Sequence, residues 1–257
     1  MLTIALVALA AALGWLAWRS RVRATAIEDR LEDASRELER LQNAFARFAP
    51  LDVIEGIIER RGVSTRSEIK EITVLFADLK GFTALAEQLD PGRLVALLNG
   101  YFQIMGRVLA EHRGHLGKFL GDGFLALFGA LEPNPWQTND ALHAALAMRD
   151  ALVDYNRRSQ AEGLPNLAMS FGIHRGPVVA GVIGNSALME YGVIGRTVNL
   201  AARVERLTRV HDVDILVTEA VRDTCDPRFR LRAMPAVELK GVPGAPPTFA
   251  VEGFDGG

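Results

Sequence analysis

Cysteine is almost absent from this sequence. Its single thiol, Cys225, can form no intramolecular disulfide and excludes a cysteine-rich zinc site. The five histidines, His112, His115, His143, His174 and His211, show no metal-ligand spacing of the HExxH kind and read as surface or core residues. Net charge is scarce as well. With 29 basic and 31 acidic residues the formal balance is −2, so bulk electrostatics gives no reason to expect a nucleic-acid partner. No internal repeat occurs, and Gly241–Pro247 is a glycine–proline turn too short for a low-complexity domain.

What is present fits one medium domain with appendages: 257 residues, 49% hydrophobic and 23% charged. Leu2–Trp18 is uninterrupted by charge, and Arg19, Arg21 and Arg23 follow at once. A spanning helix needs about 20 apolar residues, so this run predicts a single-pass anchor over residues 1–19. The arginines place the remainder of the chain on the cytoplasmic side of the inner (plasma) membrane, and Trp15 and Trp18 sit where an interfacial aromatic belt would be. A signal peptide or a buried helix is the alternative. A signal peptide would carry positive charge before its apolar core, and none occurs here.

Over residues 20–50, Ile27, Leu31, Ala34, Leu38, Leu41, Phe45 and Phe48 recur at alternating steps of four and three. That is a heptad seam and predicts a parallel two-stranded coiled coil, the alternative being an amphipathic helix packed on its own domain. Pro50 ends the pattern, and residues 51–70 read as a short helix and polar linker.

The remainder, 71–252, alternates strands and helices. Strands are expected at Ile72–Asp78, Gly114–Phe119, Phe124–Phe128, Leu167–His174, Pro177–Ile183, Asp214–Val217, Phe229–Met234, Val237–Leu239 and Thr248–Val251. Helices are expected at Pro91–Arg113, Asn139–Tyr155 and Thr197–Arg209. The pattern suggests an α/β (α+β) domain, a mixed sheet sandwiched by helices.

Two stretches carry the chemistry. Val74–Thr83 (VLFADLKGFT) begins apolar throughout, as a strand buried on both faces would, and ends in Asp78 and Gly81. In Lys118–Gly129 (KFLGDGFLALFG), Gly121 and Gly123 flank Asp122 in a hairpin turn. Carboxylates on neighbouring strand ends can share hard cations, and Mg²⁺ favours one or two carboxylates plus phosphate oxygens over an all-protein cage. A magnesium–nucleotide site follows, with backbone amides around Lys80–Thr83 (Gly81, Phe82 and Thr83 among them) meeting the β and γ phosphates. Taken singly, Asp78 reads equally well as a turn carboxylate capping local amides, and Asp122 as an ordinary Asp-Gly hairpin residue.

These stretches, followed by Gly172–Gly184 (GIHRGPVVAGVIG) and Tyr191–Arg203 (YGVIGRTVNLAAR), resemble the class III nucleotidyl cyclases, the adenylate and guanylate cyclase catalytic domain. The resemblance runs from about Glu71 to about Val251. It implies a ferredoxin-like core with a β-hairpin arm near Met189–Val193, and conversion of ATP to cyclic AMP and pyrophosphate with two Mg²⁺ (or Mn²⁺) ions per site. It implies metal ligation by Asp78, Asp122 and the Leu79 carbonyl. Arg203 matches the transition-state arginine, Asn199 its ribose-positioning partner, and Lys240 the triphosphate lysine. Lys118 matches the purine-reading lysine, which suits ATP because its ammonium donates to adenine N1 and would meet guanine N1–H donor to donor. Gly192 falls where the family has a second base-reading side chain, and Pro177 where some members have a phosphate-binding arginine. The departure at Gly192 bears on base discrimination and rate and leaves room for guanylate or mixed specificity; a catalytically weak cyclase-like dimeric signalling module is a further alternative. The resemblance further implies a homodimer with sites shared across its interface, and regulatory input would come through the anchor, the helix after it, or a membrane partner protein.

Overall fold

In the computed structural model the described residues are 67–185, 188–238 and 245–256, with backbone alone for 184, 185 and 188–190. The expected anchor, coiled coil and linker helix lie outside them, as does Lys240. Among the described residues no helix is long and apolar enough to cross a membrane.

The elements run β1 (Glu68–Leu79), α1 (Phe82–Ala86), α2 (Pro91–Glu111), β2 (His115–Leu120), β3 (Gly123–Phe128), α3 (Gln137–Ala161), β4 (Met169–Asn185), β5 (Leu188–Ile194), α4 (Arg196–His211), β6 (Ile215–Thr218), α5 (Glu219–Arg222), β7 (Phe229–Ala233) and β8 (Thr248–Phe254). The strands form one sheet in the order β2-β3-β1-β4-β6-β8-β7, with β5 paired to β4 off that path. The segment β1-α2-β2-β3-α3-β4, with β3 and β4 both antiparallel to β1, has the ferredoxin-like connectivity the motifs imply. β6 joins β4 in parallel, so the sheet is mixed.

From Ile72 onward, β1 has a layer to face on either side. Leu75, Ala77 and Leu79 share one core with Leu97, Tyr101 and Met105 of α2 and Met148 of α3. Ile72 and Val74 point the other way, into a cluster with Ala201 of α4 and Val178. This two-sided burial is why Val74–Ala77 carries no alternation. α2 begins where chemistry dictates: the Asp90 side chain accepts from Arg93 N–H at 3.0 Å and Pro91 occupies the first turn.

Three expectations need correction. Leu167–His174 and Pro177–Ile183 are not a strand pair but one strand, the 17-residue β4. Its Glu68–Leu79 partner runs beside its first twelve residues, and β5 folds back on its far end from Val179 to Asn185. The Gly176–Pro177 step does not interrupt it: Gly176 and Pro177 keep their register opposite Ile72 and Glu71, and the Pro177 carbonyl accepts from the Thr197 hydroxyl at 2.6 Å. Val237 and Glu238 have no strand structure. β1 starts at Glu68, earlier than Ile72, because β4 is long enough to pair with the extra turn-free residues.

Candidate active site

β1 and the β2–β3 hairpin bring the two aspartates together. Asp78 is the penultimate residue of β1, and its neighbour Ala77 pairs with Phe124 at the start of β3. The hairpin comes this close only because residue 123 is glycine. A Cβ there would lie 2.5 Å from the Ala77 carbonyl oxygen and 2.9 Å from Asp78 Oδ1. Asp122, one residue earlier, lies near enough to the Leu79 backbone N–H for that amide to favour its carboxylate slightly. Burial raises the Asp122 pKa above the ordinary carboxylate range. Its own backbone N–H opposes that shift, and the Asp78 charge adds to it. Behind the pair stands Tyr101, whose buried hydroxyl has no hydrogen-bond partner; burial and then the charges of Asp122 and Asp78 push that phenol upward. Two mutually repelling carboxylates, one of them desolvated, form a donor set that divalent cations neutralise. Among the described residues no cluster of three or more His, Cys, Asp and Glu side chains is placed to hold a metal.

After Leu79 the chain turns through Gly81, whose φ of +70° is left-handed and whose missing side chain faces open space. Phe82 packs its ring against the main core, which fixes the turn, while Thr83 is exposed. The set of amides facing outward is narrower than the sequence implies. Lys80 N–H donates to the Ala168 carbonyl at 2.7 Å, and its ammonium is held by Asp214 at 2.7 Å and the Val213 carbonyl at 3.2 Å. Gly81, Phe82 and Thr83 remain as the candidate phosphate-facing turn.

Asn199 and Arg203 lie elsewhere on the same chain. α4 lies against β4 so closely that a Cβ on Gly172 would be 2.1 Å from the Glu205 backbone nitrogen. Toward the start of the helix, Asn199 and Arg203 line an open groove of about 500 Å³ with His174, Pro177, Arg196 and Thr197. His174 was not singled out by spacing. Its Nδ1 lies 2.8 Å from the Thr218 hydroxyl, and burial lowers its pKa to about 4, so it is neutral at physiological pH. At the other end of the helix Glu205 and Arg209 approach Asp78: Arg209 donates to Asp78 Oδ2, and Ser170, the register partner of Asp78, donates to Glu205 Oε1 at 2.7 Å. Glu205 and Arg209 stand four apart on a helix, a spacing legible in the sequence, but nothing local announces that Asp78 is their third member.

Lys118 is exposed on β2, an edge strand, where a register shift between Leu116 and Lys118 re-aims the strand. Gly192 sits in β5 opposite Gly181, and a Cβ there would meet Ile183 Cδ1 at 3.2 Å.

Residues 65–253 match the family described as the adenylate and guanylate cyclase catalytic domain. The chain belongs to that family. It is 33% identical over 222 residues to an adenylate cyclase of Anabaena cylindrica, an alignment covering 82% of this chain and 43% of the relative. It is 31% identical over 198 residues to adenylate cyclase 1 of Rhizobium meliloti, covering 77% and 30%. The chain thus spans less than half the length of these curated relatives. Among solved structures it is similar to the guanylyl cyclase Cya2, with TM-score 0.69 and 34% identity over 73% of this chain and 94% of that one. It is also similar to the adenylyl cyclase CyaB of P. aeruginosa, with TM-score 0.68 and 27% identity over 72% and 95%. In this cyclase domain the cation-suited carboxylates and the Asn199–Arg203 groove therefore occupy separate parts of one protomer.

Proposed function

We propose that the protein is a membrane-anchored adenylate cyclase that converts ATP to 3′,5′-cyclic AMP and pyrophosphate at sites shared between two copies of the chain. The observation that carries this reading is the convergence of Asp78 and Asp122, which the close approach of the hairpin at Gly123 allows. These two carboxylates and the Leu79 carbonyl would hold two Mg²⁺ (or Mn²⁺) ions. Bound there, such ions make the ribose 3′ hydroxyl a better nucleophile and neutralise charge on the triphosphate. The Gly81–Thr83 amides and Lys240 bind the triphosphate. Lys118 donates to adenine N1. Asn199 positions the ribose so that attack on the α-phosphorus is in line, and the Arg203 guanidinium meets the charge that builds as pyrophosphate leaves.

Spacing supports a second copy. Asp78 is level with Ser170 on β4, whereas the Asn199 groove is at His174–Pro177. Four residues of strand span about 13 Å, and the ten residues of helix from Asn199 to Arg209 span about 15 Å. One protomer's asparagine is poorly placed to serve the phosphorus bound at its own Asp78, and a symmetric homodimer pairs each half-site with the other. Residues 1–19 as anchor and 20–50 as coiled coil would raise the effective concentration of the two cytoplasmic catalytic domains, and a membrane regulator would act through the same helices. No nucleic acid is involved.

Gly192 supports a second reading, in which GTP is also used, because no side chain there accepts from the adenine amino group. The test is product formation by the purified full chain with Mg²⁺ or Mn²⁺, ATP and GTP side by side, with Asp78→Ala as control. Cyclic AMP formation abolished by Asp78→Ala supports the proposal. Turnover unaffected by that substitution would refute it.

A further inference from the structure

Arg209 is a feature of the carboxylate site that the cyclase reading does not use. It lies in the last turn of α4, half exposed, and donates to Asp78 Oδ2. The same Nη2 is 3.8 Å from Oε1 of Glu205, one turn earlier on the helix. Glu205 is nearly buried, with a side chain 8% exposed. Its Oε1 accepts from the Ser170 hydroxyl at 2.7 Å, and Ser170 Oγ lies 3.4 Å from the Asp78 carbonyl oxygen. One guanidinium therefore stands between two carboxylates. Asp78 is the more exposed of them and offers itself to a cation. Glu205 is walled in by Ser170 and by the close α4–β4 contact at Gly172, and belongs to no cluster placed to hold a metal among the described residues.

A divalent cation bound at this site would compete with the Arg209 guanidinium for the Asp78 carboxylate. A guanidinium displaced without another partner would leave Glu205 as a desolvated, uncompensated charge, which is costly. Here the displaced group needs to move by little, since Glu205 is already within 3.8 Å. Resting on the proposed cation site, we infer that Arg209 is an exchangeable counter-ion: it pairs with the Asp78 carboxylate when no cation is bound, and passes to Glu205 when a divalent cation takes Asp78. Ser170 keeps Glu205 turned toward Arg209 so that the exchange is reversible.

The two ends of this exchange give opposite signs. Removing Arg209 removes the competitor. Removing the Glu205 charge removes the alternative partner and leaves Arg209 to Asp78 alone. The experiment titrates Mn²⁺ into the nucleotide-free full chain and reads free Mn²⁺ by electron paramagnetic resonance. Arg209→Ala is expected to bind Mn²⁺ about three- to tenfold more tightly than the parent, Glu205→Gln about as much more weakly, and Arg209→Lys close to the parent. Ser170→Ala, which leaves the charges intact but frees Glu205, shifts affinity in the direction of Glu205→Gln and serves if that variant does not fold. Shifts of Arg209→Ala and Glu205→Gln (or Ser170→Ala) in the same direction, or no shift in either, would overturn the exchange. Asp78→Ala separates the two levels. If it abolishes Mn²⁺ binding while Arg209→Ala changes nothing, the exchange alone is wrong; if it leaves Mn²⁺ binding intact, the cation site itself is wrong.

Discussion

The contact between Gly172 and α4 makes a demanding prediction. A methyl group at residue 172 would sit 2.1 Å from the Glu205 backbone nitrogen, 2.5 Å from Glu205 Cα and 2.6 Å from the Ala201 carbonyl oxygen. All three are main-chain atoms of a regular helix, so no rotamer change relieves the overlap. Ordinary contact requires α4 to retreat by roughly 1.3 Å, which opens its buried face, Ala201, Val204 and Leu207, against the sheet. Overpacking of this kind costs about 1–3 kcal/mol. For a domain of this size that corresponds to a fall in Tm of roughly 2–12 °C. Activity should suffer more, because α4 carries Asn199 and Arg203, and an ångström of misplacement at a reacting centre costs on the order of 10²-fold. Thermal melts of Gly172→Ala and of the parent, with cyclic AMP production at the same temperature, check both numbers. A variant that melts within a degree of the parent and keeps activity within about threefold would show that α4 is not seated on the β4 backbone as described.

Three further outcomes follow from the electrostatics. Burial raises the Asp122 pKa, so its ionised form opposes folding and stability falls as pH rises from the ordinary carboxylate range through the raised value. Asp122→Asn keeps the shape of the side chain without the charge. In chelator at pH 7 it should melt at or above the parent, while kcat falls by at least about 10²-fold. His174 behaves in the opposite sense, since a pKa lowered to about 4 means that it must fold neutral. Its cost is absent above about pH 6.5 and grows as pH falls toward 4, reaching at most about 2 kcal/mol by pH 5. His174→Gln should abolish that share of acid sensitivity in melts taken from pH 7 to pH 5. At Lys118, exchange of a donor for an acceptor in Lys118→Glu should shift the ATP-to-GTP ratio of kcat/KM toward GTP by about tenfold or more, measured by competition between the two nucleotides.

Much of this was legible in the sequence because it is local. The unbroken apolar run Val74–Ala77 signals a strand covered on both faces, and Ile72 and Leu75 are indeed fully buried against different layers. The glycines around Asp122 announce a hairpin. What sequence spacing cannot supply is the third dimension of close approach. Gly123 looked like a turn residue, whereas its role is to let the hairpin lie against the Ala77 carbonyl. Arg175–Gly176, just before a proline, reads as a break between strands, yet β4 runs through it because β1, about a hundred residues earlier in the chain, pairs with both sides of it. The Lys80 amide looked available to phosphate but is spent on Ala168, 88 positions away along the chain by their numbering. Arg209, Glu205 and Ser170 escaped notice for the same reason: their meeting with Asp78 is a property of sheet register and helix placement.

The central claim is that the carboxylates of one chain work with the arginine of another, and mixing two defective chains tests it most directly. Asp78→Ala and Arg203→Ala should each be nearly inactive alone, the latter by on the order of 10³-fold. Co-expressed in equal amounts and allowed to pair at random, they should recover about a quarter of the parent's cyclic AMP output, one intact site in each mixed dimer. Activity of the mixture no greater than the sum of the two separate variants would contradict the shared site.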